Sequence, residues 1–414
     1  MRKRSKNRLG IVLASIIIGI LVVGTVYYFT KDNKPSFTLE KNAEGEPALP
    51  TEVQEVIIKD TVYTFSSYME QPEIDYSVYE YVPPVKGLYV TAYAAVSKKM
   101  DTIIDIANTT EVNAVVIDVK SDDGYVTVET DNPLAKEIGS DTNPTLSDAR
   151  NMIKELKEQG IYTIARIVCF KDPYLASSKP EYAIKNPDGS LWTYRGIPWL
   201  NPYYDETWEY IVDVAKSAAE VGFDEIQFDY IRFESSSQLK NLDLGPKSKE
   251  VSRQEIILEF VDYALSELDP YGIEVSADVF GVIINSEIDS QNLGQNYLEM
   301  AQRLDVICPM VYPSHYGPGH YGTMTPDLYP YDVIYGSMMD SGEAFATLPE
   351  GTELATVRPW LQAFTASWLG SGNYMSYGPE EMRVQMQGAY DAGLEEWIFW
   401  NAASNYYKEA FLPE

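Results

Sequence analysis

Five charged side chains sit inside runs that otherwise read as buried β-strands, and their types suit proton transfer and charge stabilisation. Asp118, Arg166, Asp229, Asp278 and Arg358 each lie near the C-terminal end of an apolar run, with Lys120 two residues beyond Asp118. A desolvated charge costs on the order of several kcal/mol unless it is paired. Five of them on one face of a sheet therefore point to a site, although any single one is equally well read as a structural ion pair with a neighbouring strand. The chemistry that needs two carboxyl groups in one cleft is glycoside hydrolysis: one is protonated to help the leaving oxygen depart, and one is ionised to attack the sugar or activate water.

The run Glu225-Ile-Gln-Phe-Asp-Tyr-Ile-Arg-Phe233 organises the reading. Strand alternation puts Glu225, Gln227 and Asp229 on one face and Ile226, Phe228 and Tyr230 on the other. Helices covering the outer face would take the isoleucine and the aromatics, which leaves Asp229 pointing inward. Asp278 ends the next predicted strand, roughly 4.8 Å away. That spacing fits either a retaining or an inverting pair, depending on rotamers. Asp229 is read as the nucleophile or stabiliser and Asp278 as the acid, since a nearby arginine keeps one carboxyl ionised while apolar walls raise the other.

The elements that must position these residues alternate from Gly87 onward. Strands are predicted over 87–94, 114–120, 162–170, 225–233, 274–281, 306–313, 354–364 and 396–402, and amphipathic helices most clearly over 146–159, 206–221, 252–268, 296–304 and 380–391. Four helices end in a glycine followed by an apolar residue and a strand: Gly160-Ile161, Gly222-Phe223, Gly272-Ile273 and Gly393-Leu394. A left-handed glycine there turns the chain back toward the sheet. Eight strands joined in this way predict a (β/α)8 TIM barrel, with its active site at the C-terminal ends of the strands. The alternative is an open doubly wound sheet, which would want a glycine-rich loop after its first strand; Tyr93-Ala-Ala-Val-Ser97 has no glycine.

Aromatics crowd the loops at that end. The loop over 171–205 holds Tyr174, Tyr182, Trp192, Tyr194, Trp199, Tyr203 and Tyr204, later loops hold Tyr312, His315, Trp360 and Trp368, and Trp400 ends the last strand. Tryptophan and tyrosine faces stack on sugar rings, though aromatics also anchor long loops to a barrel rim. The predicted substrate-binding set is Asp118, Lys120, Arg166, Trp192, Trp199, Asn201, Arg232, Tyr312, His315, Arg358, Trp360 and Trp400.

Composition narrows the partners. In 414 residues, 62 acidic side chains face 32 basic ones, a net charge of -30 that repels phosphate backbones and argues against nucleic acid. Two histidines and two cysteines, Cys169 and Cys308, argue against a disulfide scaffold, a zinc site or a Ser-His-Asp triad, and no cofactor or metal is predicted. Arg2, Lys3, Arg4, Lys6 and Arg8 precede an uncharged apolar stretch over 9–29. It is long enough to cross a bilayer, and its basic flank would stay inside. This predicts a single-pass anchor over 1–30, a proline-broken linker over 31–84 with strand-like pieces at 53–62 and 76–82, and an extracytoplasmic barrel over 85–414. A cleaved signal peptide would export the domain as well.

Gly87-Leu-Tyr-Val-Thr91, Val116-Ile-Asp-Val-Lys120, Trp199-Leu-Asn-Pro-Tyr203, the 225–233 run, Ala277-Asp-Val-Phe-Gly281 and Pro309-Met-Val-Tyr-Pro-Ser-His-Tyr316 together resemble a family of bacterial glycoside-hydrolase-like proteins catalogued as a domain of unknown function. Its members are similar to barrels distantly related to the α-amylase type. The resemblance spans about residues 85 to 410 and implies a (β/α)8 barrel acting on a cell-wall or extracellular polysaccharide. In the α-amylase type the fourth strand ends in an Asp nucleophile and the fifth in a Glu acid. Asp229 matches the first, Asp278 stands in the second place, and the seventh strand carries Arg358 and Trp360 where a third carboxylate would be. Two other readings stand beside this one: a non-catalytic glycan-binding barrel tethered at the surface, and a cleft for a cationic amino-sugar polymer.

Overall fold

The computed structural model describes residues 54–58, 61–65, 83–235, 239 and 242–412. The chain divides into two compact units, Met1–Pro83 and Pro84–Glu414. In the first unit, strands Gln54–Ile58 and Thr61–Phe65 pair antiparallel, with Gln54 opposite Phe65. The predicted membrane span over 9–29 lies outside the described residues, as does most of the predicted linker. Among the described residues, no helix is long and apolar enough to cross a membrane.

The second unit is a closed barrel of eight parallel strands: β1 Lys86–Val90, β2 Ala114–Lys120, β3 Tyr162–Val168, β4 Glu225–Asp229, β5 Glu274–Phe280, β6 Val306–Met310, β7 in two pieces (Thr356–Val357 and Trp360–Gln362) and β8 Trp397–Trp400. Each strand pairs with the next in sequence, and β8 pairs with β1 through Ile398 and Gly87 to close the ring. No sheet edge remains, which decides between the barrel and the open sheet. Pro359 splits β7 because it has no N–H to give β8, while its carbonyl still accepts from Ile398 N at 2.9 Å.

The connections between the strands carry helices α1 Lys98–Thr109, α2 Ala149–Glu158, α3 Asp205–Val221, α4 Arg253–Leu268, α5 Tyr297–Ala301, α6 Pro330–Phe345 and α7 Pro379–Asp391, with other short helices such as Pro133–Ile138, Pro173–Ser178 and Glu287–Leu293 in the loops. Gly160, Gly222, Gly272 and Gly393 all take positive φ, between 61° and 111°, where helices turn back toward strands. Helix α4 starts in a capping box: Ser252 Oγ accepts from Glu255 N at 3.2 Å, and Glu255 Oε2 accepts from Ser252 N at 2.7 Å.

Strand alternation sorts the apolar residues into two cores. Ile117, Ala165, Ile226 and Phe228 face outward into the layer shared with the helices. There Phe260 of α4 packs against Phe228, Phe170 and Trp208 with ring centroids 5.2–6.0 Å apart. Tyr89, Val116, Ile164, Cys308 and Trp360 face inward and fill the barrel. Both cysteines are free and buried, as filler would be. Several predicted strands ran past the observed ends because the apolar residues that follow pack the loops; Ile231 and Phe233, beyond Asp229, are fully buried outside any strand.

Candidate active site

Inward alternation delivers four charges to the C-terminal end of the barrel: Asp118 from β2, Arg166 from β3, Asp229 from β4 and Asp278 from β5. Arg166 is the hub. Its Nε and Nη2 donate to Asp229 Oδ2 at 3.0 and 2.5 Å, Nη1 donates to Asp118 Oδ1 at 2.7 Å, and Nη2 also reaches Asp122 Oδ1 at 3.0 Å. Tyr89 OH donates to the other Asp118 oxygen at 2.5 Å. Lys171 Nζ completes the network with bonds to Asp122 Oδ2 at 2.8 Å and to Tyr230 OH at 3.2 Å.

The two candidate catalytic carboxyls sit in different environments. Asp229 accepts two bonds from Arg166 on Oδ2 and one from Tyr230 N on Oδ1, at 2.5 Å. Among the described residues these fill three of its four lone-pair positions. Asp278 is 1 % exposed. Its Oδ1 accepts from Trp360 Nε1 at 2.6 Å, and its Oδ2 has no partner among the described residues. Burial, and then the neighbouring Asp229 charge, push the Asp278 carboxyl well above the usual carboxylate range, outweighing Trp360 and Arg166. One group is bonded twice by an arginine, and the other is buried against an apolar wall that favours its protonated form. That is the division of labour an acid and a nucleophile or base require.

The surrounding groups share this electrostatic logic. Burial would raise Asp122, but Arg166 and Lys171 outweigh it and bring it down to about 2. Burial raises Asp118 despite Arg166 and Tyr89. Arg166 is itself desolvated, yet the carboxylates of Asp229, Asp122 and Asp118 hold its pKa well above its ordinary value.

A pocket of about 260 Å³ opens over this cluster, lined by Arg166, Asp229, Tyr230, Arg232, Asp278, Phe280, Met310, Tyr312, His315, Trp360 and Trp400. A second hollow of about 280 Å³ shares Phe280, Met310 and His315 with it and continues past Gly281, Asp289, Asn292 and Tyr316. Trp400 stacks on Tyr89 at 3.9 Å and forms part of the wall, and Tyr312 meets His315 edge-on at 5.0 Å.

The pocket thus gathers Asp229, Asp278, Arg166, Arg232, Tyr312, His315, Trp360 and Trp400, with Asp118 directly behind Arg166. Other residues of the predicted set lie elsewhere. Lys120 turns outward, because the β2–β3 register shifts between Asp118 and Lys120; its ammonium is buried against Asp172 at 2.7 Å and over the Tyr210 ring of α3. Arg358 lies inside the barrel but pairs with Glu225, the first residue of β4, and with Glu396, at 2.8 Å each. It closes a structural ion cluster, and the pocket lies at the other end of β4. Asn201 is buried, with Nδ2 on Leu244 O at 3.1 Å. Trp192 and Trp199, expected as exposed stacking platforms, are each 4 % exposed within the outer core, because the loop over 171–205 folds down on itself. Trp199 still touches the pocket wall, edge-on to Tyr230 at 5.8 Å.

The sequence reading missed Tyr89, Asp122, Lys171, Tyr230, Phe280 and Met310. Tyr89 was within reach as an inward position of the first strand, and Asp122 as a carboxylate in the Ser121-Asp-Asp-Gly124 turn. Strand alternation predicts the outer face for Tyr230, but its φ of 50° breaks the alternation and brings the residue to the pocket wall. Such strain in a non-glycine residue clusters at functional sites.

A closed parallel barrel with a buried neutral carboxyl beside an arginine-held carboxylate, at the C-terminal ends of adjacent strands, defines a barrel of the glycoside hydrolase type. The chain belongs to the family described as "Putative glycosyl hydrolase domain", which matches residues 87–406. Among curated proteins, none matches it. Of solved structures, a hypothetical protein from Ruminiclostridium thermocellum is 40% identical over 46% of this chain and 97% of its own, with a TM-score of 0.42. The glycoside hydrolase domain of PgaB (BpsB) from Bordetella bronchiseptica is 14% identical over 78% of this chain and 95% of its own, with a TM-score of 0.55, a likeness of fold. The spore cortex-lytic enzyme SleL of Bacillus megaterium covers 80% of this chain and 73% of its own at 12% identity, with a TM-score of 0.45.

Proposed function

We propose that the barrel hydrolyses O-glycosidic bonds in a cell-wall or extracellular polysaccharide, with Asp278 as the general acid and Asp229 as the nucleophile or base. The observation that carries this reading is the contrast between the two carboxyls. Burial favours the protonated form of Asp278, while Asp229 is bonded twice by Arg166 and once by Tyr230 N. As the leaving oxygen takes the proton from Asp278, positive charge grows on the sugar, and Asp229 lies in the same pocket to stabilise or capture it. Arg166 is braced by Asp118, which Tyr89 holds in turn, so the carboxylate is preorganised and need not move during the reaction.

The adjoining hollow past Gly281 supports an extended substrate over a single sugar. The basic cluster before the apolar stretch over 9–29 supports a membrane-anchored enzyme working outside the cell. A panel of defined wall and extracellular polysaccharides incubated with the purified protein should yield new reducing ends from at least one of them, at a rate lower by about 10²–10⁴ with Asp278→Asn. Protease added to intact cells should remove the barrel; a barrel cut only after lysis would reverse the orientation.

A further inference from the structure

Three arginines reach into the barrel and its mouth, and two are paired with carboxylates. Arg166 holds Asp118, Asp122 and Asp229, while Arg358 holds Glu225 and Glu396. Arg232, three residues beyond Asp229, is different. It is 7 % exposed and lines the same pocket as Asp229 and Asp278, and no carboxylate among the described residues lies within 4.0 Å of it. Its one hydrogen bond among those residues runs from Nη1 to Phe233 O at 2.9 Å. Three rings hold the guanidinium, with its Cζ at 4.4 Å from the centroid of Phe280, 4.9 Å from Tyr230 and 5.1 Å from Trp199. The rings hold its plane and shield its charge, and among the described residues Phe233 O is the one acceptor hydrogen-bonded to it. A desolvated cation is costly unless paired, and the planar fork of arginine matches a carboxylate through two parallel bonds.

We propose that Arg232 receives a carboxylate carried by the substrate sugar, so that the enzyme selects acidic glycans. This rests on the hydrolase reading for its pocket and adds the substrate class. The carboxylate could belong to a uronic acid or to a lactyl ether on an amino sugar, and the guanidinium fork would serve either. A lone hydroxyl would accept from the same fork but bring no counter-charge. The net charge of -30 repels a polyanion at long range, so the selectivity must come from this buried contact. Added salt screens the long-range repulsion within about 8 Å at physiological strength and screens a buried pair far less. Affinity for an acidic glycan should therefore hold or rise with salt.

The test uses the full-length protein and two pairs of probes: oligogalacturonate beside its carboxyl-reduced form, and peptidoglycan glycan-strand fragments beside theirs. Binding is read by calorimetry at two salt concentrations, and cleavage by reducing ends. The wild type should bind the acid member of one pair about tenfold or more tightly than its reduced partner, and the responding pair identifies the source of the carboxylate. Arg232→Gln should collapse that preference toward unity, and Arg232→Lys, which keeps the charge but loses the fork, should retain part of it. A wild type that prefers the reduced member in both pairs overturns the proposal without any variant. So does an Arg232→Gln that weakens both members equally, because Arg232 is then a wall of the pocket. Selective binding of an acid member with no cleavage of any probe would support the Arg232 assignment while contradicting the hydrolase reading.

Discussion

Asp278→Asn separates a general acid from a structural carboxyl. The substitution keeps the shape of the group and an oxygen to accept the Trp360 Nε1 bond, and it leaves the Arg166 network untouched, since Asp278 makes no ion pair among the described residues. The folding effect follows from the direction of its pKa shift. The folded carboxyl titrates well above its unfolded value, so its stabilising contribution is fully present below about pH 3.9 and is lost as pH rises through the folded pKa. Asparagine has no such loss. The variant should match the wild type in acid and become progressively the more stable of the two toward alkaline pH, by about 1.4 kcal/mol for each unit by which the folded pKa exceeds the unfolded one. Catalysis should move the other way. Loss of a general acid costs about 10²–10⁴ in rate on a natural glycan, or roughly 2.7–5.5 kcal/mol of barrel-bound transition-state stabilisation. A 2,4-dinitrophenyl glycoside of the same sugar leaves without protonation, and on it the variant should stay within about tenfold of the wild type. Steady-state rates on both substrates, with thermal melts from pH 4 to pH 9, read all of this. Equal losses on both substrates would refute the assignment, and so would a fall in melting temperature of the size expected for a broken buried ion pair.

Arg358→Met should destabilise the protein by about 3–5 kcal/mol, because it removes the cation paired with the buried Glu225, while kcat/KM per folded molecule hardly changes. Trp400→Ala removes a pocket wall and should weaken oligosaccharide binding by roughly 1–3 kcal/mol. Trp192→Ala opens the outer core and should instead cost about 3–5 kcal/mol of stability, which paired calorimetry and denaturation would distinguish. Asp122, held down to about 2, contributes stability above its unfolded value near 3.9 and loses it as pH falls toward 2. Asp122→Asn should flatten the acid limb of the melting curve across that window.

Period-two alternation made much of this legible, since it depends only on side chains alternating between faces. It placed Asp118, Arg166, Asp229 and Asp278 together from four separate strands, and the recurrent glycine joints supplied the winding that closes them into a barrel. Three physical effects hid the rest. Alternation tells which face a residue takes but not its height along the barrel, so Arg358 looked like a site residue although its partner Glu225 begins the strand that Asp229 ends. A register shift after Asp118 turned Lys120 outward, and a left-handed Tyr230 turned its ring inward; neither irregularity has a glycine or proline to announce it. Loop aromatics such as Trp192 are buried or exposed according to how the loop folds on itself, which composition does not carry.

Cleavage of glycosidic bonds through Asp229 is tested by comparing reducing-end release by the wild type and by Asp229→Asn on a polysaccharide that both bind, with rates normalised to folded protein because the variant loses an Arg166 partner. The wild type should release reducing ends steadily, the variant at a rate lower by a factor on the order of 10²–10⁴, with affinities within a few-fold of each other. A variant that still cleaves at the wild-type rate, or a wild type that binds the polymer tightly and never cuts it, would contradict the account.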